Sequence, residues 1–285
     1  MPTSLPFTTL ISAAELRGAL AATPAPILVD VGFDLADVEA GEAAWRAGHL
    51  PGAQYLHLDR DLCGAKTGHN GRHPLPPRAA FAATLGRCGV VPGRQVVALD
   101  RQGGMYAARL WWMLRWMGHD SVAVLDGGVA AWLADGGVLT ADAAPPPAAT
   151  PYPERASLAG SVDASALAAG LGRLRLVDAR AGERFRGEVE PLDRAAGHIP
   201  GALNRFFKDN LGADGRFKSA EQLRREFAAL LGPGAGENTV HQCGSGVTAC
   251  HNLLAMAHAG LPGSKLYPGS WSEWSADPAR PVARG

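Results

Sequence analysis

Four landmarks recur in the same order in the two halves of this chain, and that repeat constrains the fold more than any other feature. The run ILVDVG (27–32) returns as RLVDAR (175–180), and AGHLPGA (47–53) returns as AGHIPGA (196–202). Asp30 to Asp178 spans 148 residues and His49 to His198 spans 149. The third pair is QVVALD (95–100) with a glycine turn and MYAARLWWMLRWMG, against NTVHQC (238–243) with GSG and VTACHNLLAMAHAG. The fourth is SVAVLDGGVAAW (121–132) against SKLYPGSWSEW (264–274). A period near 150 residues means a duplicated domain, because solenoid repeats are much shorter.

Short β-branched apolar runs ending at an Asp read as buried parallel strands. They alternate with helical patterns, so each half is expected to be an α/β domain, a mostly parallel sheet flanked by helices. The expected boundaries are 1–140 for the first domain, 141–155 for a Pro-rich linker and 156–285 for the second. The linker ADAAPPPAATPYPER holds five prolines and little that could pack. The aromatic-rich 105–118 is expected to be a core helix, and Trp271 and Trp274 to close the C-terminal end of the second domain.

A chain of 285 residues can bury two cores of ordinary size. Lys+Arg and Asp+Glu both number 27 and no basic run stands out, which argues against nucleic acid or an anionic membrane surface as partner. No stretch has the roughly 18 apolar residues of a membrane span. The N-terminal MPTSLPFTTLISAAELRG has no basic start followed by an apolar run, so a cytoplasmic protein is expected. Its four cysteines, Cys63, Cys88, Cys243 and Cys250, are then expected to be free thiols.

Chemistry concentrates in VHQCGSGVTACHNLL. A nucleophilic cysteine must be a thiolate, so something must stabilise negative sulfur. Cys243 ends a predicted strand just before a helix expected to start near Val247. Gly244 and Gly246 permit a turn whose N–H groups face inward, and the helix N-terminus adds to that field. Ser245 and Thr248 supply hydroxyl donors. A cysteine at a strand end is most often a small buried hydrophobe. Here the first half is an internal control: the matching strand ends at Asp100, so one half keeps the scaffold without the thiol. Cysteine phosphatases use a similar cradle with an Arg six positions after the Cys. Position 249 is Ala, which removes that anion clamp.

The run Cys243-Gly244-Ser245-Gly246-Val247-Thr248-Ala249 resembles the active-site loop of the 3-mercaptopyruvate branch of the two-domain rhodanese family, and the resemblance covers nearly the whole chain. It implies two tandem rhodanese-like domains, the first catalytically inactive. It also implies a Cys243 persulfide that passes sulfur from 3-mercaptopyruvate to a thiol, cyanide or thioredoxin-like protein acceptor, with no metal or organic cofactor. The alternatives are thiosulfate as donor, a persulfide carrier serving a protein partner, and a redox thiol without sulfur transfer. Gly244, Gly246, Val247 and Thr248 fall in the substrate-binding loop.

The same resemblance places a substrate-binding Arg at Arg184 and a second Arg nine residues on. Position 193 is Asp here, with Arg194 next to it as the candidate substitute; Arg186 is read as a solvated charge. It also points to an Asp and a His in LDRDLCGAKTGHNGRHPLP that relay a proton with Ser245. Asp61 and His73 are the candidates, with Asp59 and His69 as neighbours that could take their places. Because His49 and His198 occur in both halves, a structural role is expected for them. The string His241, Cys243, Cys250, His251 fits no common zinc spacing.

Overall fold

A computed structural model describes residues 6–143 and 150–285. The core of the proline linker, 144–149, lies outside the described residues. The chain divides into two compact units. The first takes in 1–62, 76–158 and 214–216; the second takes in 63–75, 159–213 and 217–285. This follows the repeat with two exchanges, of which the transfer of Cys63–Leu75 to the second unit matters for the site. Tyr152 departs from the expectation that little in the linker packs: its ring is buried in the first unit and its hydroxyl meets His119 Nδ1 at 3.2 Å.

The first unit holds strands β1 (Leu10–Ile11), β2 (Ile27–Asp30), β3 (Gln54–Tyr55), β4 (Val96–Leu99) and β5 (Val122–Leu125). The second holds β6 (Gly160–Ser161), β7 (Arg175–Asp178), β8 (Leu203–Asn204), β9 (Thr239–Gln242) and β10 (Lys265–Leu266). Their orders are β1-β5-β4-β2-β3 and β6-β10-β9-β7-β8, which is one topology used twice. Every neighbouring pair is parallel. The α/β class, with two parallel sheets flanked by helices, is as expected.

Parallel strands covered on both faces need apolar side chains on both. In β7, Leu176 enters the cluster of Val240, Ile199, Trp271 and Trp274, while Val177 enters that of Leu223, Phe227 and Met256 on the other face. That alternation is the two-residue period of a strand. The aromatic-rich segment forms helix Ala107–Trp116, with Trp112, Met113 and Leu114 fully buried.

Register places the landmarks at the carboxyl ends of the central strands, where parallel sheets bind ligands. Asp30 pairs with Leu99, and Asp178 with Gln242. The residues that follow, Asp100 and Cys243, therefore leave their sheets at equivalent points. The two recurring histidines also do equivalent work. His49 Nδ1 donates to the Trp45 carbonyl at 2.8 Å and its ring stacks on Trp45; His198 Nδ1 donates to the Phe185 carbonyl at 2.8 Å and stacks on Phe185. Each locks a turn.

Candidate active site

The chain leaves β9 at Gln242 and enters helix Ala249–His258, two residues later than expected. Val247 and Thr248 complete the turn instead, with tight bonds from Cys250 N to Val247 O (3.0 Å) and His251 N to Thr248 O (3.1 Å). Gly246 is required where it stands. Its φ of +80° is left-handed, and a Cβ there would collide with the carbonyl oxygen of Pro268. Its N–H donates to Cys243 Sγ at 3.2 Å. Cys243 itself is almost fully buried.

Helix Ser270–Trp274 clamps this turn from the other side. Cys243 N–H donates to Ser270 Oγ at 3.0 Å, and Ser270 holds a left-handed φ of +53° to present it. Trp271 N donates to Cys243 O at 3.0 Å and Ser272 N to Gly244 O at 2.9 Å. The loop backbone is thus held by hydrogen bonds from both sides.

Two guanidiniums face Gly244. A Cβ built on that residue would lie 2.9 Å from Arg72 Nη2 and 3.5 Å from Arg184 Nη1. Arg184 is the expected cation. Sequence reasoning missed Arg72, although its neighbour His73 was singled out from the same GRHPLP run. Arg194, the expected substitute, is exposed, and Arg186 pairs with Glu188 at the surface.

Two buried carboxylates hold the two cations. Asp193 Oδ1 pairs with Arg72 Nη1, and its Oδ2 lies 3.3 Å from Arg184 Nη2. Glu190 Oε1 lies 2.6 Å from Arg184 Nη2. Burial raises the Asp193 pKa, the Arg72 charge opposes it, and the net shift is upward. Burial also pushes Glu190 up, but the hydrogen bond and charge of Arg184 outweigh it and the net shift is downward. Behind them, buried Arg180 grips Asp178 through Nε and Nη2 and lies over the Trp271 ring at 4.8 Å.

His73 and Ser245 come together: His73 Nδ1 and Ser245 Oγ are 2.7 Å apart, both buried. Asp61 is engaged within the first unit. Its Oδ2 accepts from His57 N and its Oδ1 from Arg87 Nη2, both at 2.9 Å. His241 Nε2 lies 3.1 Å from Met256 Sδ, and complete burial drives its pKa down to about 3. His251 stacks on Phe217. Among the described residues, no group of three His, Cys, Asp or Glu side chains could hold a metal.

In the first unit the equivalent loop is filled by its own side chain. Asp100 Oδ1 accepts from Gln102 N (2.9 Å) and Gly104 N (2.8 Å), and Oδ2 from Tyr106 N (2.9 Å) and Ala107 N (3.0 Å). The turn is built to surround an anion, and here the anion is Asp100.

The rhodanese-like domain model matches this chain twice, over residues 12–135 and 163–277. A Pseudomonas aeruginosa protein named as a 3-mercaptopyruvate sulfurtransferase is 48% identical over 281 residues, 97% of this chain and 98% of its own. A Mycobacterium tuberculosis protein named as a thiosulfate sulfurtransferase, SseB, is 42% identical over 97% of each chain. Among solved structures, the 3-mercaptopyruvate sulfurtransferase of Leishmania major superposes with a TM-score of 0.83 at 29% identity, covering 95% of this chain and 75% of its own. SseA of Escherichia coli superposes with a TM-score of 0.78 at 30% identity, over 94% of this chain and all of its own.

Proposed function

The chain belongs to the rhodanese family of sulfurtransferases, and from that premise we propose that it moves sulfur from 3-mercaptopyruvate to a thiol or cyanide through a persulfide on Cys243. The observation that carries this is one small volume at the end of β9. A buried sulfur sits in an N–H turn, with two guanidiniums over the adjacent glycine and a His–Ser pair beside it.

The Cys243 thiolate attacks the donor sulfur and forms the S–S bond. The donor C–S bond breaks, and its electron pair goes to carbon as the enolate of pyruvate. The proton of the donor thiol ends on that carbon. Ser245 Oγ, hydrogen-bonded to His73, is placed to accept and return it. The loop N–H groups hold the negative terminal sulfur of the persulfide. An acceptor thiolate, free or on a thioredoxin-like protein, or cyanide then attacks that sulfur, the S–S bond breaks, and the Cys243 thiolate returns. Arg184 holds the donor carboxylate. Four buried cysteines, none of them in a disulfide, suit a reducing compartment, which supports a cytoplasmic location.

A second reading keeps the chemistry with thiosulfate as donor, favoured by the likeness to the SseB protein. Steady-state kinetics with both donors decide, and higher kcat/KM with thiosulfate would reverse the order. Cys243→Ser is expected to abolish turnover with either donor and the mass increment of one sulfur; retained activity would overturn the proposal.

A further inference from the structure

We propose that residues 281–285 form a strap that positions helix Gly182–Arg186, and with it Arg184, for the donor. This rests on the sulfur-transfer reading above.

The helix cannot hold itself. It has five residues, none of them buried, and so short a helix is marginal without outside support. Its last carbonyls find no partner inside the helix and must be met elsewhere. Gly187 N takes Arg184 O at 3.2 Å. The next two are met from outside: His198 Nδ1 donates to Phe185 O at 2.8 Å, and Gly285 N donates to Arg186 O at 3.1 Å. These two donors are themselves joined. His198 N donates to Ala283 O and Ala283 N to His198 O, both at 2.9 Å, in an antiparallel bridge. Arg284 Nε adds a bond to Ala196 O at 3.2 Å, and Trp274 Nε1 holds the start of the strap through Pro281 O at 2.8 Å. Two glycines make room for this crossing. Gly197 has a φ of +125°, and a Cβ there would collide with Ala283 O. Gly187 has a φ of +77°, and a Cβ there would lie 2.9 Å from Gly197 N. The helix end, the turn before His198 and the strap thus pack backbone on backbone, at distances that only glycine allows.

The first unit supplies the contrast. His49 and Thr140 make the same two-bond bridge. The helix before it, Ala40–Ala47, has eight residues and buries Gly41, so it needs less help. Past that bridge, Asp142 N turns back to Thr140 Oγ1 at 3.0 Å. In the second unit the chain runs on from the bridge to the helix that carries Arg184. Other bonds secure the middle and end of the excursion from β7 to β8: Arg180 Nη1 lies 3.3 Å from Glu190 Oε2, and Trp271 Nε1 donates to Ala195 O at 2.9 Å. Glu190 and Asp193 hold the Arg184 guanidinium, but they lie on the same excursion. The strap sets the backbone from which that side chain springs. It therefore acts on the donor through Arg184.

The test uses a chain lacking 282–285 beside Gly285→Pro, which removes the N–H given to Arg186 O and leaves the His198–Ala283 bridge. Amide exchange read by mass spectrometry should quicken at least about tenfold over 182–187 in the deletion, and stay as in wild type over helix Ala249–His258. With 3-mercaptopyruvate, KM should rise about fivefold in the deletion and about twofold in Gly285→Pro, with kcat per folded molecule held within about twofold. Alkylation of Cys243 by neutral iodoacetamide should keep its wild-type rate, since the strap acts on the helix and not on the sulfur loop. A strap that only adds bulk stability would lower the melting temperature and leave KM unchanged, and that result would overturn the proposal. Unchanged exchange over 182–187, or a fall in kcat at constant KM, would overturn it as well. A wild-type chain that turns over neither 3-mercaptopyruvate nor thiosulfate would defeat the sulfur-transfer reading and the donor with it, while the exchange result would still decide whether the strap holds the helix.

Discussion

The two strand–turn–helix loops of this molecule make the same backbone for different occupants. In the first unit the Asp100 carboxylate accepts four backbone N–H groups and closes the turn on itself. In the second unit Cys243 Sγ accepts from Gly246 N. In both cases the turn aims backbone N–H groups at the side chain of its first position, which is a carboxylate in one unit and a thiol in the other. A second difference lies one layer down. Asp178 is gripped by Arg180, whereas the residue two after Asp30 is Gly32, and Asp30 Oδ2 is buried without a hydrogen bond. Burial, the largest influence there, raises the Asp30 pKa to about 6.

The comparison can be broken most sharply by making the second loop a copy of the first. Cys243→Asp should still fold, because the turn accepts an anion, and should lose turnover by at least ~10³-fold, since no nucleophilic sulfur remains. Thermal melting and a donor assay check the two halves of that statement. The converse change, Asp100→Ala, should cost about 3–4 kcal/mol in urea denaturation, because it orphans three buried N–H groups and one part-buried one. Turnover per folded molecule should not change; a loss below ~1 kcal/mol would mean that the first loop does not need its anion.

Asp30→Asn tests the uncompensated acid. A carboxyl whose pKa is raised on folding stays protonated in the folded state while the unfolded chain ionises, so stability falls as pH rises from about 4 to about 6. Removing the charge should therefore gain about 2 kcal/mol at pH 7.5 relative to pH 4.5, under the ~3 kcal/mol that a rise from 3.8 to about 6 represents. Urea titrations of both proteins at the two pH values read it, and equal gains at both would remove the buried charge as the cause. The smallest effect contrasts equivalent loop positions. Ser245→Ala should lower kcat about tenfold and alter its pH profile, whereas Gln102→Ala should leave kcat unchanged.

The duplicated α/β architecture could be read from the sequence, because strand runs, glycine turns and the Asp/Cys difference are local or periodic signals. The glycine turn after β9 was legible for the same reason: Gly244, Ser245 and Gly246 sit within three residues of Cys243. The cation pair was legible only by half. Arg184 lies in a run that a motif can mark. Arg72 reaches the site through a pairing with Asp193 across 121 residues, and nothing local to either residue announces it. Arg194 looked like a substitute because it is adjacent in sequence, but the neighbouring Asp193 turns inward and Arg194 stays exposed. Asp61 was singled out by order along the chain; within the first unit its carboxylate caps helix Leu58–Asp61 and pairs with Arg87.

The transfer of Cys63–Leu75 to the second unit bears on how such a chain can be inherited. A gene for residues 156–285 alone would encode the sulfur loop, its glycines and Arg184, but neither His73 nor Arg72. The half without the thiol carries a segment that belongs to the unit of the half that has it. Recombination at the proline linker, the obvious place to cut, would part Cys243 and its loop from His73, whose Nδ1 meets Ser245 Oγ, and from Arg72 beside Gly244.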